Sequence, residues 1–333
     1  MKRPKSALPG RATIKDVARL AGVSSATVSY VLNNLGKVTP EVDAQVRKAA
    51  DTIGYRRNSV ATALKTGRRN VIGCIFPTLT SPVFPEILQA IQHRAEQLGF
   101  ATFVVESGRG EGREEEAAQV MAQHGVDGVI AVLDRKPKIS DNPRYPIVVI
   151  DRRVRGLDSV EADHERGGQL MAEFAFSLGH RQVGLLSGLQ DLESSQQRRK
   201  GFLDAAKGKL HVVWESEVPL TAQLPDAANR LINERRVTLL ACVNDLVAMG
   251  ALGALRQAGI RVPKDVSVIG FDNIQWTSWP LIDLTTIHQS LSALGETAVD
   301  LLVKRLEHPQ REAEHLKLPV SLIERGTTAA RQW

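Results

Sequence analysis

Residues 12–33 read ATIKDVARLAGVSSATVSYVLN, and this stretch decides the interpretation of the whole chain. Thr13 and Asp16 stand three residues apart, the spacing at which a cap and an acid of the first turn begin a helix. The buried stripe of this first helix is predicted to comprise the apolar residues that recur at helical spacing, Val17, Leu20 and Ala21. The stretch therefore predicts a short helix that ends before Gly22.

A turn and a second helix follow. Gly22 can adopt the positive φ angle that ends a helix, and Ser24 can cap the next one. On the second helix the residues of the inner face are predicted to be Val28, Val31 and Leu32. The outer face carries short side chains and one aromatic ring, from Ser25, Ala26, Ser29, Tyr30 and Asn33. Such a face allows a helix to enter the major groove of DNA.

A third helix is predicted from the sequence Thr39-Pro40-Glu41, which places a cap, a proline at the first helical position and an acid in the first turn. Its core face comprises Val42, Val46, Ala49 and Ile53. The alternative is a generic three-helix bundle with no role on nucleic acid. Amphipathic helices by themselves favour that alternative.

The charge distribution decides against it. Residues 1–70 hold 14 Lys and Arg against 4 Asp and Glu, whereas the whole chain has a net charge of only +6. The basic surplus is thus confined to one end, as expected of a surface that binds phosphates. We expect residues 1–11 to be a solvated basic tail and residues 12–57 to be a DNA-binding head.

Residues 58–69 are predicted to be a hinge helix and linker. Their first part, NSVATALKTG, places Val60, Ala61 and Leu64 on one face of a short helix. Isolated helices of this length are marginal in water, so this helix needs a partner to fold.

The head is similar to that of the lactose repressor (LacI) family of bacterial transcription regulators. The matching positions are 13–18, 21–24, 27–29, 31–33, 38–40, 53–55 and Leu64. The resemblance implies that the linker helix folds on operator DNA and that Leu64 wedges into the minor groove, where an apolar side chain can unstack one base step. The alternative is that Leu64 packs against its twin across a dimer, and both roles can hold at once.

The resemblance also implies roles on DNA for individual residues. Direct base readers would be Ser25, Ala26 and Tyr30, and phosphate contacts would come from Thr27, Ser29 and Asn33. The predicted DNA-binding set is completed by Thr13, Ser24, Tyr55 and Asn58. The family often has arginine at the position of Tyr30, where it contacts guanine. Tyr30 could instead offer its hydroxyl or contact a thymine methyl group, and the sequence does not choose between them.

The remainder of the 333-residue chain is long enough for further cores. Cys74 and Cys242 form neither a disulfide framework nor a metal pair. No apolar run reaches the length of a membrane span, and the basic start lacks the apolar stretch of a secretory signal. A cytoplasmic protein that does not bind membranes is expected.

Beyond residue 70, short apolar runs alternate with helical segments. The predicted strands are 71–76, 102–105, 128–133, 147–150, 183–186, 212–213, 239–243, 266–270 and 285–288, and the predicted helices are 85–98, 114–124, 165–178, 226–234, 245–258 and 291–306. This alternation predicts an α/β fold with two doubly wound parallel-sheet lobes of the periplasmic-binding-protein type. We expect one lobe over about 70–162 with part of 291–333, and the other over about 163–290.

Polar residues stand at the predicted strand ends, where ligands bind in open parallel sheets. Asp151, Asn244 and Asp272 match ligand contacts of the family, as does Arg198, and Ser81 and Phe84 are predicted to contribute from the first lobe. Trp276 and Trp279 could stack on a sugar ring, with interface or core packing as the alternative. Helix capping is the alternative for Asp151 and Asn244.

The sequence shows no nucleophile, metal site or cofactor loop of a known type, so an enzyme is not expected. The sequence predicts a homodimeric transcriptional regulator that binds double-stranded operator DNA and a small-molecule effector such as a sugar. Of the possible regulators, a repressor is favoured. The resemblance implies that a tetramer would carry a C-terminal leucine heptad, and because none follows residues 323–326 we expect a dimer. The alternative is a solute-binding protein for transport, which would leave the basic head without a purpose.

Overall fold

The computed structural model describes residues 12–32, 36, 38–55, 68–108, 110, 112–133 and 145–331. The chain forms two compact units, which divide between residues 69 and 70. Three predicted site residues, Asn33, Asn58 and Leu64, lie outside the described residues, as do the basic tail and the hinge helix.

The described residues of the first unit form three helices, α1 (Ile14–Leu20), α2 (Ser25–Leu32) and α3 (Pro40–Thr52). Its core consists of small and β-branched side chains, Val17, Ala18, Ala21, Val28, Val31, Val46, Ala49 and Ala50. The prediction that Leu20 is buried was wrong, since 52% of its surface is exposed. Ala18, one turn after Ile14, occupies the inner stripe instead, and Leu20 lies on the flank of the helix.

Local signals in the sequence account for the ends of these helices. The Asp16 carboxylate accepts hydrogen bonds from the backbone N–H of Thr13 at 3.0 Å and from its hydroxyl at 2.7 Å. Gly22 has a φ of 61°, which confirms the predicted turn. The Ser24 hydroxyl accepts the backbone N–H of Thr27 at 3.0 Å and so caps α2, also as predicted.

In the second unit, the residues that the structure describes form two six-stranded sheets. The strands are β1 (Val71–Phe76), β2 (Ala101–Glu106), β3 (Gly128–Val132), β4 (Ile147–Ile150), β5 (Asp158–Ala162), β6 (Gln182–Ser187), β7 (His211–Glu217), β8 (Leu239–Cys242), β9 (Ser267–Asp272), β10 (Thr285–Gln289), β11 (His315–Leu318) and β12 (Val320–Ile323). The strand order is β11-β5-β4-β3-β1-β2 in the first sheet and β12-β10-β9-β8-β6-β7 in the second. Every adjacent pair is parallel except β10 and β12.

Helices cover both faces of each sheet. They are α4 (Val83–Gln97), α5 (Arg113–His124), α6 (His164–Ser177), α7 (Glu193–Ala206), α8 (Asp226–Asn233), α9 (Asp245–Gln257) and α10 (Leu291–Glu307), with a short 3₁₀ helix at Gln275–Ser278. Helices α4 and α10 share a core with one face of the first sheet, and α5 packs on the other. Helices α8 and α9 cover one face of the second sheet, and α6 and α7 the other. The predicted fold class, two doubly wound lobes, is confirmed.

The chain passes between the lobes three times, after Ala162, after Gln289 and at Pro319. Strands β5, β11 and β12 and helix α7 were not predicted. Strand β5 is buried along its whole length although it reads DSVEA. Its Asp158 is only 1% exposed and pairs with Arg305 and Arg311, each at 2.8 Å. The charged residues make this buried strand look exposed in the sequence, because their partners lie more than 140 residues away.

Candidate functional site

A cavity of about 100 Å³ lies between the two lobes at the carboxyl ends of the strands. It brings together six of the seven predicted effector-binding residues, Ser81, Phe84, Asp151, Arg198, Asn244 and Asp272. Its wall also includes Arg152, Glu193, Ser194 and Gln289, which the sequence did not single out. Trp276 is not part of this wall and lies in the short 3₁₀ helix.

Two of these carboxylates occupy unusual backbone conformations. Asp151, just after β4, has a φ of 70°, and Asp272, at the end of β9, has a φ of 117°. Non-glycine residues rarely adopt positive φ, at a cost of about 1–3 kcal/mol, and such strain clusters at ligand sites. The fold therefore holds both carboxylates in place at the strand ends.

Arg198, on α7, occupies the centre of the polar network. Its Nη1 donates to the carbonyl of Val243 at 2.9 Å and lies 3.1 Å from Asp272 Oδ1. The guanidinium also stacks on Phe271, 3.7 Å from the ring centroid. Because only 8% of Arg198 is exposed, these partners replace the water that it loses on burial.

Two glycines explain how α7 can present Arg198 at this depth. A Cβ on Gly201 would lie 1.9 Å from the carbonyl oxygen of Glu165, and one on Gly168 would lie 2.1 Å from that of Arg198. Only glycine permits this approach of α6 and α7. Gly201, three residues after Arg198 in the sequence, is therefore needed for the close packing of α6 and α7.

His164 links Arg198 to Asp151 and was missed at the sequence level. Its Nε2 lies 2.5 Å from Asp151 Oδ1, and Arg198 Nε donates to its Nδ1 at 3.2 Å. A guanidinium N–H can only donate, so in this arrangement Nδ1 accepts from Arg198 and Nε2 donates to Asp151. The ring is fully buried. The sequence could have indicated His164 only by its position at the first residue of α6, just after the end of β5.

Burial and neighbouring charges shift the pKa values of the acids here. Burial raises the pKa of Asp272 to about 6, with Arg198 acting against the rise and Asp151 adding to it. Burial, and then the charge of Asp272, raise the pKa of Asp245 well above its ordinary value. For Asp151 burial also acts upward, but His164, Arg198 and Ser194 together lower its pKa.

Side chains of the two lobes meet across the cavity. Arg152, after β4, lies 3.5 Å from Glu193 at the start of α7. Asn244 caps α9, accepting the backbone N–H of Val247 at 2.9 Å, so the capping role left open by the sequence is present. This arrangement can hold a small polar molecule and can register any change in the angle between the lobes.

On the first unit, the predicted DNA-contacting residues divide by exposure. Thr13, Ser24, Ser25, Ala26 and Tyr30 are exposed, and Thr27 and Ser29 are half-buried. Tyr55 packs against the core of the three helices. In the part of the chain that the structure describes, no group of His, Cys, Asp and Glu could hold a metal ion, and none of its helices is long and apolar enough to cross a membrane.

Known proteins match both units. The model of the lacI family of bacterial regulatory proteins matches residues 13–58, and that of a periplasmic binding protein-like domain matches residues 172–328. The HTH-type transcriptional repressor PurR of Pectobacterium carotovorum subsp. carotovorum (strain PC1) is 32% identical over 331 residues, which cover 96% of this chain and 97% of PurR. PurR of Haemophilus influenzae (strain PittEE) is 32% identical over 308 residues, with 89% and 92% covered.

Solved structures show the same likeness. The Lac repressor dimer bound to operator and the anti-inducer ONPF has a TM-score of 0.82 at 30% identity and covers 96% of this chain and 100% of its own. The complex of the transcriptional regulator CelR with cellobiose has a TM-score of 0.72 at 26% identity and covers 95% of this chain and 100% of its own. A three-helix head with an exposed second helix, two doubly wound lobes and relatives over nearly the whole length agree: the chain belongs to the lacI family of bacterial regulatory proteins and is a DNA-binding transcriptional regulator.

Proposed function

We propose that this protein is a repressor that binds operator DNA as a homodimer, with an affinity set by a small polar molecule bound between its lobes. The observation that supports this best is the convergence of Asp151, Arg198 and Asp272 on one cavity between the lobes. The Lac repressor relative is bound to operator and an anti-inducer, and the CelR relative to cellobiose. The solute-binding alternative is not favoured, since the relatives that span the chain are transcriptional repressors.

In this proposal α2 enters the major groove. Ser25, Ala26 and Tyr30 contact base edges from its exposed face, and Thr27, Ser29 and Asn33 contact phosphates. Thr13, Ser24, Tyr55 and Asn58 complete the proposed DNA-binding set. Leu64 enters the minor groove at the centre of the operator. Leu64→Ala should therefore lower operator affinity and DNA bending while nonspecific binding stays unchanged, in a fluorescence anisotropy assay that compares operator with random duplex. Equal losses on both duplexes would remove the wedge from the model.

An exposed apolar cluster supports the homodimer. Leu281 is fully exposed and Trp279 is 53% exposed, and the Trp276 and Trp279 rings lie 6.3 Å apart. Large exposed apolar side chains that stand close together in the chain mark interaction sites, and aromatic residues are enriched in them. We assign the two tryptophans to this surface, which is the packing alternative that the sequence left open, rather than to sugar stacking.

The effector would act through the contacts that join the lobes. Asp151 contacts His164 and is connected through it to Arg198, and Arg152 lies near Glu193, so a molecule bound among them would change how the lobes close. Lobe movement would bring together or separate the two linker helices of a dimer. A ligand shifts this equilibrium only by the difference between its affinities for the two states. The regulator would act in the cytoplasm, where chromosomal DNA lies.

The decisive experiment is selection of genomic fragments by the purified full-length protein, followed by anisotropy titrations across a salt series. A specific site should bind at least about 1,000-fold more tightly than random duplex, with an affinity that falls steeply as salt rises because counterions are released. Addition of the cognate ligand should change affinity for that site. A protein that shows no preference for any fragment, with or without metabolites, would overturn the proposal.

A further inference from the structure

The charges of the cavity wall limit what the cavity can bind. Among the described residues, the wall contains three carboxylates, from Asp151, Glu193 and Asp272, and two guanidiniums, from Arg152 and Arg198. Acidic side chains of the wall therefore outnumber its guanidiniums by one.

Both guanidiniums are already engaged by acids. Arg152 Nε lies 3.5 Å from Glu193 Oε2, and Arg198 Nη1 lies 3.1 Å from Asp272 Oδ1. The side chain of Arg152 is 9% exposed and that of Arg198 is 10% exposed, so little water competes for either. A phosphate or carboxylate that entered would compete with Glu193 and Asp272 for two cations whose charge is already balanced inside the wall.

The remaining carboxylate, that of Asp151, is not a partner in either of these guanidinium pairs and contacts the His164 ring instead. Burial acts to raise the pKa of Asp151, but His164 and Arg198 lower it on balance, so the negatively charged form is favoured in the cavity. An anionic ligand would meet this charge at short range in surroundings where water screens poorly.

The hydrogen-bonding groups point to the same chemistry. Gln289 is 3% exposed and donates through Nε2 to Asp272 Oδ1 at 2.7 Å. Its Oε1 is buried and has no hydrogen-bond partner among the residues that the structure describes. A buried acceptor of this kind calls for a donor. Together with the three carboxylates, it gives the wall a surplus of acceptors that a ligand rich in O–H or N–H groups would satisfy.

We propose that the cavity takes an uncharged or amino-bearing small molecule rich in hydrogen-bond donors, such as a polyol or an amino sugar, and excludes the phosphorylated and carboxylated forms of the same molecule. This inference rests on the proposed effector function and narrows its ligand class. Glu193 and Asp151 are then the residues that select against negatively charged ligands.

Matched sets of probes test this on the full-length protein. Thermal shift and titration calorimetry at pH 7.5 and constant ionic strength would compare glucose, glucosamine, glucuronate and glucose 6-phosphate, ribose with ribose 5-phosphate, and adenosine with its 5′-monophosphate. At least one uncharged or amino member should bind, and its anionic counterpart should bind at least 100-fold more weakly. Anionic forms that bind as tightly as their counterparts would overturn the proposal, as would a panel in which no uncharged or amino member binds.

A charge variant provides the control. Glu193→Gln removes one negative charge and the partner of Arg152, so discrimination against the anionic form should fall at least tenfold. Glu173→Gln changes an acid that lies outside the cavity wall and should leave discrimination unchanged. Equal discrimination in all three proteins would remove Glu193 from its assigned role. Operator binding without ligand separates this result from the function itself, since a wrong ligand charge leaves specific DNA binding intact.

Discussion

Replacement of Arg198 by methionine should destabilise the protein by about 3–5 kcal/mol, the usual cost of leaving a buried charge without its partner. The side chains of Arg198 and Asp272 are 10% and 5% exposed, and their charged atoms lie 3.1 Å apart. At an effective dielectric constant of about 20, two unit charges at this distance attract by about 5 kcal/mol. Methionine keeps an apolar contact over Phe271, so the loss reports on charge rather than on packing.

A second substitution should rescue the first. In Arg198→Met/Asp272→Asn the buried negative charge is gone, and we expect at least about 2 kcal/mol of the loss to be recovered. A lower pH should also reduce the stability lost in Arg198→Met, because protonation removes the negative charge of Asp272. Burial raises the pKa of Asp272 to about 6, so its contribution to stability is fully present below pH about 4 and is lost as pH rises through 6. The cost of Arg198→Met should thus be smaller at pH 5 than at pH 7.5.

The assay is guanidinium unfolding of the wild type, both single variants and the double variant, followed by circular dichroism at the two pH values. The midpoints and slopes of the four proteins give the coupling between the two positions. A cost below about 1 kcal/mol for Arg198→Met would refute the reasoning. So would a double variant as unstable as the sum of the single ones, since the two charges would then not interact.

Three further predictions concern the dimer, the head and the connection between the lobes. Leu281→Asp should shift the protein from dimer to monomer in sedimentation velocity, while Leu316→Asp, at another exposed leucine, should leave the dimer intact; a dimer that survives both changes would place the interface elsewhere. Gly22→Ala should lower the stability of the head by about 1 kcal/mol, because the position has a φ of 61° and no other atoms within 4 Å of the added methyl group; an unchanged melting temperature of the head would show that its backbone adapts. His164→Gln should weaken the response of operator binding to the ligand at least tenfold in anisotropy titrations, with operator affinity in the absence of ligand within twofold of the wild type; a normal response would show that the Asp151–Arg198 connection is not needed.

Much of the fold could be predicted because buried parallel strands are nearly continuous apolar runs. Strands β1 and β4 begin and end where the sequence placed them. Strand β5 was missed because Asp158 and Glu161 resemble surface residues, and only the tertiary structure supplies Arg305, Arg311 and His315 as partners. Helix α7 was missed because its buried positions include Ser195, Arg198 and Gly201 rather than an apolar stripe.

The residues of the candidate site likewise divide into those that the sequence predicts and those that only the structure reveals. Six of its residues could be predicted from strand ends and the family resemblance, since parallel strands bring their carboxyl ends to one edge. His164 could not, because its role depends on two partners, Asp151 and Arg198, at unrelated places in the sequence. Leu20 shows a related limit, because helical spacing does not decide whether a residue at the edge of the apolar stripe is buried or exposed.

The positions of β11 and β12 have a consequence for synthesis on the ribosome. These strands are separated by one residue, yet β11 fills the edge beside β5 in one sheet and β12 the edge beside β10 in the other. A nascent chain that has not yet emerged to about residue 323 leaves both edges open, and unpaired edges recruit other chains. Translation arrested near residue 310 should therefore yield aggregates in which neither lobe is finished, rather than one native lobe and one unfolded one.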